Sequence, residues 1–346
     1  MLSEQEIEEI KGHLDKSQNP LFFFDNDADG LCSFLLLSRY AGKGKGVAIK
    51  SFPDLNESYA RKLYELKPDY IFVLDKPIIS DGFIEESRKL NLPLVWIDHH
   101  ESSADFKIPE DVHYYNPSKN KDKSVEPVTY LSWRVSKRKE DLWLAVSGCI
   151  GDGFLPDFLP EFEEEYNGLW REKITTAFQA LYETDIGKIT RVLSFALKDR
   201  TSNVVRMLKF LLKVKNPQDI LQEDPKNSIL FRFNQVNQKY KKLIEKARRF
   251  VREKFIYFQY GGDLSLSADI SNELSYRFPN KFIVVAFLKG SKANVSLRGK
   301  NVKKLTLKAI EGLEGATGGG HEDATGARIN VDDLPLFKDR IEKLVG

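Results

Sequence analysis

The chain has 346 residues, with 53 Lys and Arg against 51 Asp and Glu and 41% hydrophobic residues. That length exceeds what one ordinary hydrophobic core organises and predicts two domains, and the composition excludes collagen-like and wholly disordered chains. No apolar run approaches the ~18 residues of a membrane span, the first residues are polar rather than signal-like, and Cys32 and Cys149 are too few for a disulfide framework. A cytoplasmic protein without a membrane partner is expected, and because the charges nearly cancel, any anionic partner must be met by a local basic patch.

In chain order, Ser3 with Glu6 forms a capping box ahead of a helix whose Leu2, Ile7, Ile10 and Leu14 share a face. Leu21–Phe24 is a short apolar run that suits a strand buried on both sides. A helix is predicted over Leu31–Tyr40, closed by Gly42, then a strand over Val47–Phe52 and a helix over 57–66. A strand over Tyr70–Leu74, a helix over 83–90 and a strand over Leu94–Ile97 follow. This alternation with short connections predicts an α/β fold, a parallel sheet with helices on both faces.

From 124 to 255 the periodicity is mostly helical: several helices over 161–213, a loop over 216–228, and one long helix over 229–255. Between Lys239 and Lys254 that helix carries eight basic and two acidic residues. After a break at Gly261-Gly262, strands are predicted at Ile283–Leu288 and Asn294–Leu297 and a helix at 301–312. A glycine-rich turn and a final helix after Leu334 complete a smaller α/β unit.

Asp25-Asn26-Asp27-Ala28-Asp29-Gly30 sets three carboxylates at alternate positions directly after the first buried strand. Such acids repel unless a cation holds them, and oxygen-rich donors suit Mg2+ or Mn2+; the same residues also suit a solvated turn and a helix N-cap. Asp75 ends the third strand and Asp98-His99-His100 the fourth. Three strands therefore deliver acids or imidazoles to the carboxyl edge of one sheet, where ligands bind in open α/β folds. Turn propensity accounts for each alone but not for their joint occurrence, because clustered ionisable groups are costly to bury without metals. Gly151-Asp152-Gly153 follows an apolar helix and presents a further acid. Gly318-Gly319-Gly320-His321 is either a flexible turn or a backbone that a phosphate can approach closely. The basic run 239–254, continued by Arg298, Lys300, Lys303 and Lys304, is either a solvated face or a track for phosphates. His13 and His113 have no partner pattern, and both cysteines read as small apolar core residues.

Asp27-Ala28-Asp29-Gly30, the strand-ending Asp75, Asp98-His99-His100 and Gly151-Asp152 resemble motifs I to IV of the DHH phosphoesterases. Gly318–His321, followed by Ala324 to Ile329, resembles the GGGH motif of the companion DHHA1 domain, and Ser296-Leu297-Arg298 resembles its phosphate-contacting strand. The resemblance runs in order over nearly the whole chain. It implies a DHH catalytic domain with a helical C-terminal part over 1–215, a linker with the basic helix over 216–256, and a smaller α/β DHHA1 substrate-binding domain over 257–346. It also implies two Mn2+ ions, with Mg2+ as the alternative: Asp25 and Asp27 on one, Asp29, His99 and Asp152 on the other, and Asp75 bridging. His100 would stand beside the scissile phosphate as a catalytic group and Asp98 would orient His99. Ser296, Arg298, Gly318, Gly319, Gly320 and His321 would grip the substrate. Many members carry a His where Asp25 stands or two residues upstream, where this chain has Phe23.

The implied activity is that of a RecJ-like, single-strand-specific exonuclease on DNA or RNA that releases mononucleotides. It is most similar to the archaeal helicase-associated form, which runs 3′ to 5′ and has a role in DNA repair. A helicase or replication protein would be its partner, with room for a homo-oligomer. The family offers two alternatives: a nanoRNase or cyclic-dinucleotide phosphodiesterase acting on short oligonucleotides, and a Cdc45-like replication scaffold without catalysis. The filled acidic positions count against the scaffold.

Overall fold

Helix α1 (Glu4–Lys16) starts at the expected capping box, with Ile7, Ile10 and Leu14 buried. The apolar run after it forms strand β1 (Pro20–Asp25), and α2 (Ala28–Ala41) follows, closed by Gly42 at φ 66°. The computed structural model describes residues 1–51, 54–101, 107–171, 173–223 and 227–345. Strands β2 (Lys45–Ile49), β3 (Tyr70–Leu74) and β4 (Leu94–Ile97) recur as the alternation predicts, with α3 (Arg61–Leu66) and α4 (Asp81–Lys89) between them. Phe52, the expected end of the second strand, lies outside the described residues. The helix expected over 57–66 is broken: a 3-10 turn (Glu57–Tyr59) precedes α3.

A fifth strand, β5 (Val112–Tyr115), pairs in parallel with β4 and was not legible, because its half-exposed pattern lacks an apolar run. All pairings in this sheet are parallel and its order is β2-β1-β3-β4-β5. The chain leaves β1 toward one edge and returns past it to β3, so β1 and β3 flank the point where the direction of winding reverses. Crevices at such points, outside the carboxyl ends of the strands, are where open α/β sheets bind ligands.

Both faces of the sheet are covered, as its continuous apolar strands require. Leu21 and Phe23 of β1 join Ile71, Val73, Leu94 and Trp96 in a core closed by Phe83 and Ile84 of α4. The alternate residues Phe22 and Phe24 pack against Phe34 of α2, the first tilted and the second stacked. Behind α2 lie α5 (Val128–Ser136) and α6 (Leu142–Gly151), and the helices α7 (Leu159–Glu165), α8 (Ala177–Glu183), α9 (Asp185–Leu197) and α10 (Thr201–Leu211) complete this part. Residues 216–228, expected as a loop, contain a 3-10 turn (Pro217–Ile220), and Pro225 lies outside the described residues.

The chain divides into two compact units, Met1–Phe233 and Asn234–Gly346, and the division falls inside α11 (Ser228–Ala247). The long helix expected to reach residue 255 stops at Ala247 with a 3-10 turn. From Phe255 the alternation of Phe255 and Tyr257 with Ile256 and Phe258 is a strand pattern, and β6 (Phe255–Gly261) pairs in parallel with β7 (Phe282–Lys289). The second sheet continues antiparallel through β8 (Lys292–Arg298), β10 (Ala324–Asn330) and β9 (Thr317–His321). Helices α13 (Val302–Ile310) and α14 (Leu334–Val345) close one face over Val284, Val295 and Leu297, with Phe337 of α14 in the same core. Helix α12 (Ser267–Arg277), not predicted, packs on β7 and β8. Gly318–Gly320 correct the expected turn: they lie in β9, paired residue by residue with β10, where a partner strand overrides glycine's poor strand propensity. Among the described residues no helix is long and apolar enough to cross a membrane.

One tight joint in the first unit lies between β1 and α2. A Cβ at Gly30 would stand 2.5 Å from the Asp25 carbonyl oxygen. Gly30→Ala is therefore expected to cost about 1–3 kcal/mol through overpacking, read as a lower urea midpoint; an unchanged midpoint would show that this turn can shift.

Candidate metal centre

Asp25 ends β1, Asp27 caps α2 by accepting from the Gly30 N–H at 3.0 Å, and Asp29 lies in the first turn of α2. Both the turn reading and the ligand reading of this segment are thus compatible with its geometry. The buried Asp29 carboxylate accepts from the N–H groups of Val128 (2.9 Å) and Thr129 (2.7 Å) at the start of α5. The positive end of a helix dipole thereby faces a carboxylate. Asp75 follows β3 with φ 58°, a backbone region that Asp tolerates better than most residues. It is held there by its N–H to the Ile97 carbonyl at 3.0 Å. Asp152 caps the end of α6, where a Cβ on the preceding Gly151 would meet the Cβ of Ala28 at 2.7 Å. Glycine there lets α6 bring its terminal Asp close to α2.

These elements collect the expected acids into two donor groups. One ligand atom each from Asp25, Asp27 and Asp75 lie within 4.8 Å of one another, and so do those of Asp29, His99 and Asp152. Asp75 stands next to both, since the His99 Nε2 is 3.5 Å from its Oδ1 and 3.8 Å from Asp152 Oδ2. The His99 ring is aimed by its other nitrogen, 3.2 Å from the Val125 carbonyl. This corrects the expectation that Asp98 orients His99: Asp98 Oδ1 instead lies 2.8 Å from Nδ1 of His100. Successive side chains leave a strand end on different sides, so Asp98 reaches the second histidine rather than the first. Asn116 supports this pair, donating to the Asp98 carboxylate (3.3 Å) and the His100 carbonyl (3.0 Å).

Electrostatics set the character of the centre. Asp27 opens to solvent, yet the protein packed around it and the like charges of Asp25 and Asp29 push its carboxyl up to about 8. Burial, reinforced by Asp29 and Asp27, holds Asp75 well above the carboxylate range, and burial also raises Asp29. Burial alone would depress the His99 imidazole, but the hydrogen bond to Asp75 and the charges of Asp152, Asp75 and Asp29 outweigh it and hold it high. Hard oxygen donors with one imidazole suit Mn2+ or Mg2+, and a divalent cation would relieve the repulsion among these carboxylates. The donor set therefore fits the implied metals.

The remaining candidates lie in the second unit. Ser296 and Arg298 are on β8, and the sheet register puts Ser296, Gly326 and Gly319 in one row and Arg298, Ala324 and His321 in another. Residues in such rows share a sheet face. Arg298 is braced by Asn272 Oδ1 (2.6 Å) and the Leu297 carbonyl (2.7 Å), and Ser296 donates to Ser267 Oγ at 3.0 Å. A Cβ at Gly319 would meet nothing within 4 Å, so its backbone is open to a ligand, whereas Gly318 and Gly320 are tightly packed. Sequence reasoning missed the supports: Val125, Val128, Thr129, Asn116, Asn272 and Lys76, the last 2.7 Å from Asp25. Only the Asn116-Pro117 pair, a turn signal after a strand, pointed to one of them. His13 and His113 pack ring to ring at 4.2 Å in the first unit, and Cys32 and Cys149 are buried.

Residues 21–148 match the DHH family, N-terminal domain, and residues 239–346 match the DHHA1 domain. The chain belongs to the DHH/DHHA1 superfamily, whose DHH domains define a phosphoesterase family. Among solved structures it is similar to RecJ from Thermus thermophilus in complex with Mn2+, at 16% identity and a TM-score of 0.68, over 99% of this chain and 54% of that one. It thus spans about half the length of that RecJ chain. It is similar also to an exonuclease RecJ bound to manganese, at 15% identity and a TM-score of 0.60, over 99% of this chain and 93% of the other. Cdc45 from Entamoeba histolytica matches at 10% identity and a TM-score of 0.51, over 98% of each chain. At these identities the likeness is one of fold. No curated protein matches the chain in sequence.

The raised acids give a pH signature to the metal-free protein. Between the ordinary Asp value of 3.8 and about 8, folded Asp27 binds a proton that the unfolded chain has released, so folding stability falls as pH rises. The raised His99 acts in the same direction above 6.5. In EDTA, the melting temperature is expected to drop between about pH 6 and about pH 8, and Mn2+ should remove most of the drop. A chelated protein that gains stability over this range would contradict the assigned electrostatics.

Proposed function

We propose that this protein is a metal-dependent phosphodiesterase that hydrolyses single-stranded DNA or RNA from an end, releasing mononucleotides, in the manner of RecJ-like exonucleases. The observation that carries the reading is the convergence of Asp25, Asp27, Asp29, Asp75, His99 and Asp152 into two adjoining donor groups at the sheet's winding reversal. In the proposed assignment Asp25 and Asp27 hold one Mn2+, Asp29, His99 and Asp152 hold the other, and Asp75 lies between. Such a pair, when bound, activates a water for in-line attack on phosphorus and stabilises the developing charge. The chain's own groups do the rest. The Asp98 carboxylate fixes the tautomer and direction of His100, leaving the imidazole to hold a phosphate oxygen or carry a proton. Arg298, braced by Asn272 and the Leu297 carbonyl, would meet a phosphate oxygen, while Ser296, Gly318, Gly319, Gly320 and His321 would line the substrate's path in the second unit. The division of labour proposed is metals within 1–215, a basic connector over 216–256 and substrate binding within 257–346.

Longer strands are favoured over dinucleotides by the charge on α11 and the turn after it, where Lys241, Lys242, Lys246, Arg248 and Arg249 are all exposed. Sequence-independent contacts of that kind bind phosphates with strong salt dependence. A replication scaffold of the Cdc45 kind has no use for two complete acidic donor groups. A nanoRNase or cyclic-dinucleotide phosphodiesterase would share the chemistry and differ in substrate. The separating experiment offers the protein with Mn2+ end-labelled single strands, a dinucleotide and a cyclic dinucleotide. Turnover of long strands is expected, and idle long strands beside rapid dinucleotide cleavage would overturn the exonuclease reading.

Asp75→Asn preserves the backbone conformation, since Asn also tolerates positive φ, and is expected to lower turnover of every substrate by about a thousandfold with an unchanged circular dichroism spectrum. Full activity would remove Asp75 from the centre. Replacing Lys246, Arg248 and Arg249 together by Ala should flatten the salt dependence of long-strand binding and spare dinucleotide cleavage. Equal losses on both substrates would place this basic surface outside the binding path.

A further inference from the structure

Lys76 is a fully buried lysine, 0% exposed, beside the proposed metal centre. Burying an ammonium is costly unless it is paired and hydrogen-bonded. Its Nζ lies 2.7 Å from Asp25 Oδ1 and donates to the Ser51 carbonyl at 2.9 Å. Its backbone is clamped as well: the Trp96 indole N–H donates to the Lys76 carbonyl at 2.7 Å, and the Asp75 N–H before it is bound to Ile97. The ammonium therefore sits at a fixed point against one donor of the group Asp25, Asp27 and Asp75. The other group is served differently: Asp29 by neutral backbone N–H groups of α5 and His99 by a backbone carbonyl. A full positive charge within hydrogen-bonding distance of a ligand opposes a divalent cation at that ligand more strongly than the partial positive charges of two backbone N–H groups oppose one at Asp29.

We propose that Lys76 is a positioning residue that makes the two metal positions unequal: it fixes the Asp25 carboxylate and weakens divalent-cation binding at Asp25, Asp27 and Asp75 relative to Asp29, His99 and Asp152. The inference rests on the metal reading given above. Its functional consequence is an order of assembly. The second position fills in the free protein, and the first fills when an incoming phosphate contributes negative charge that offsets the ammonium.

The test is a Mn2+ titration followed by electron paramagnetic resonance of the free ion, on the wild type, Lys76→Met, Lys76→Arg, Asp25→Asn and Asp75→Asn. The wild type should bind one ion tightly and a second at least about tenfold more weakly. A non-hydrolysable phosphorothioate dinucleotide should tighten the weak step. Lys76→Met should close the gap and make the weak step insensitive to the dinucleotide, and Lys76→Arg should restore the gap. Asp25→Asn, which leaves the ammonium without its carboxylate, should lose the weak step and keep the tight one; this holds the inference testable even if Lys76→Met folds poorly. An unchanged gap or a weaker second step in a folded Lys76→Met protein would overturn the inference, as would loss of the tight step in Asp25→Asn. Failure of the metal reading looks different: the wild type would bind no Mn2+, or Asp75→Asn would bind it as the wild type does.

Discussion

Like-charge repulsion among Asp25, Asp27, Asp29 and Asp75 is the constraint around which the first unit is arranged. Carboxylates this close destabilise one another, and the partly desolvated setting strengthens the effect. Burial is the larger cause of the raised Asp27, Asp29 and Asp75 carboxyls, and like charge adds to it at Asp27 and Asp75. The chain sets several structural devices against it. The start of α5 offers two N–H groups to Asp29, Lys76 neutralises Asp25 in part, and His99 lies between Asp75 and Asp152. What these devices leave uncompensated, a divalent cation would offset.

The sheet topology explains why the acids meet at all. Side chains at the ends of β1, β3 and β4 meet because these three strands are neighbours in that order. Gly30 lets α2 start directly against β1, and Gly151 lets α6 end against α2, so that Asp29 and Asp152 reach the same imidazole. Replacement of either glycine would separate carboxylates that lie far apart in sequence.

Much of this was legible in the sequence because its signals are local. The capping box at Ser3, the apolar runs of β1, β3 and β4, and the acids following them each depend on a few neighbouring residues. Illegible features depend on partners distant in sequence. β5 is a strand because β4 is beside it, and Gly318–Gly320 are a strand because β10 pairs with them. The end of α11 was overestimated because lysine and arginine favour helix as strongly as the residues before them, while the strand β6 is set by pairing with β7. Of the candidate site, Asp25 and Asp75 were readable as strand-end acids and Asp152 as a helix-end acid. Their supports were not, because a backbone N–H or carbonyl carries no sequence signature: Val128, Thr129 and Val125 act through theirs. Asp98 was assigned to the wrong histidine for a related reason, since two adjacent histidines differ only in which side of the strand end they face.

The central claim is that one sheet edge holds two adjoining divalent-cation positions. A crystal of the protein soaked in Mn2+ and measured at a wavelength where manganese scatters anomalously tests it most directly. The expected result is one anomalous peak among Asp29, His99 and Asp152 and a second among Asp25, Asp27 and Asp75, with Asp75 touching both. Peaks elsewhere, or an acidic edge that stays free of manganese at millimolar concentration, would contradict it.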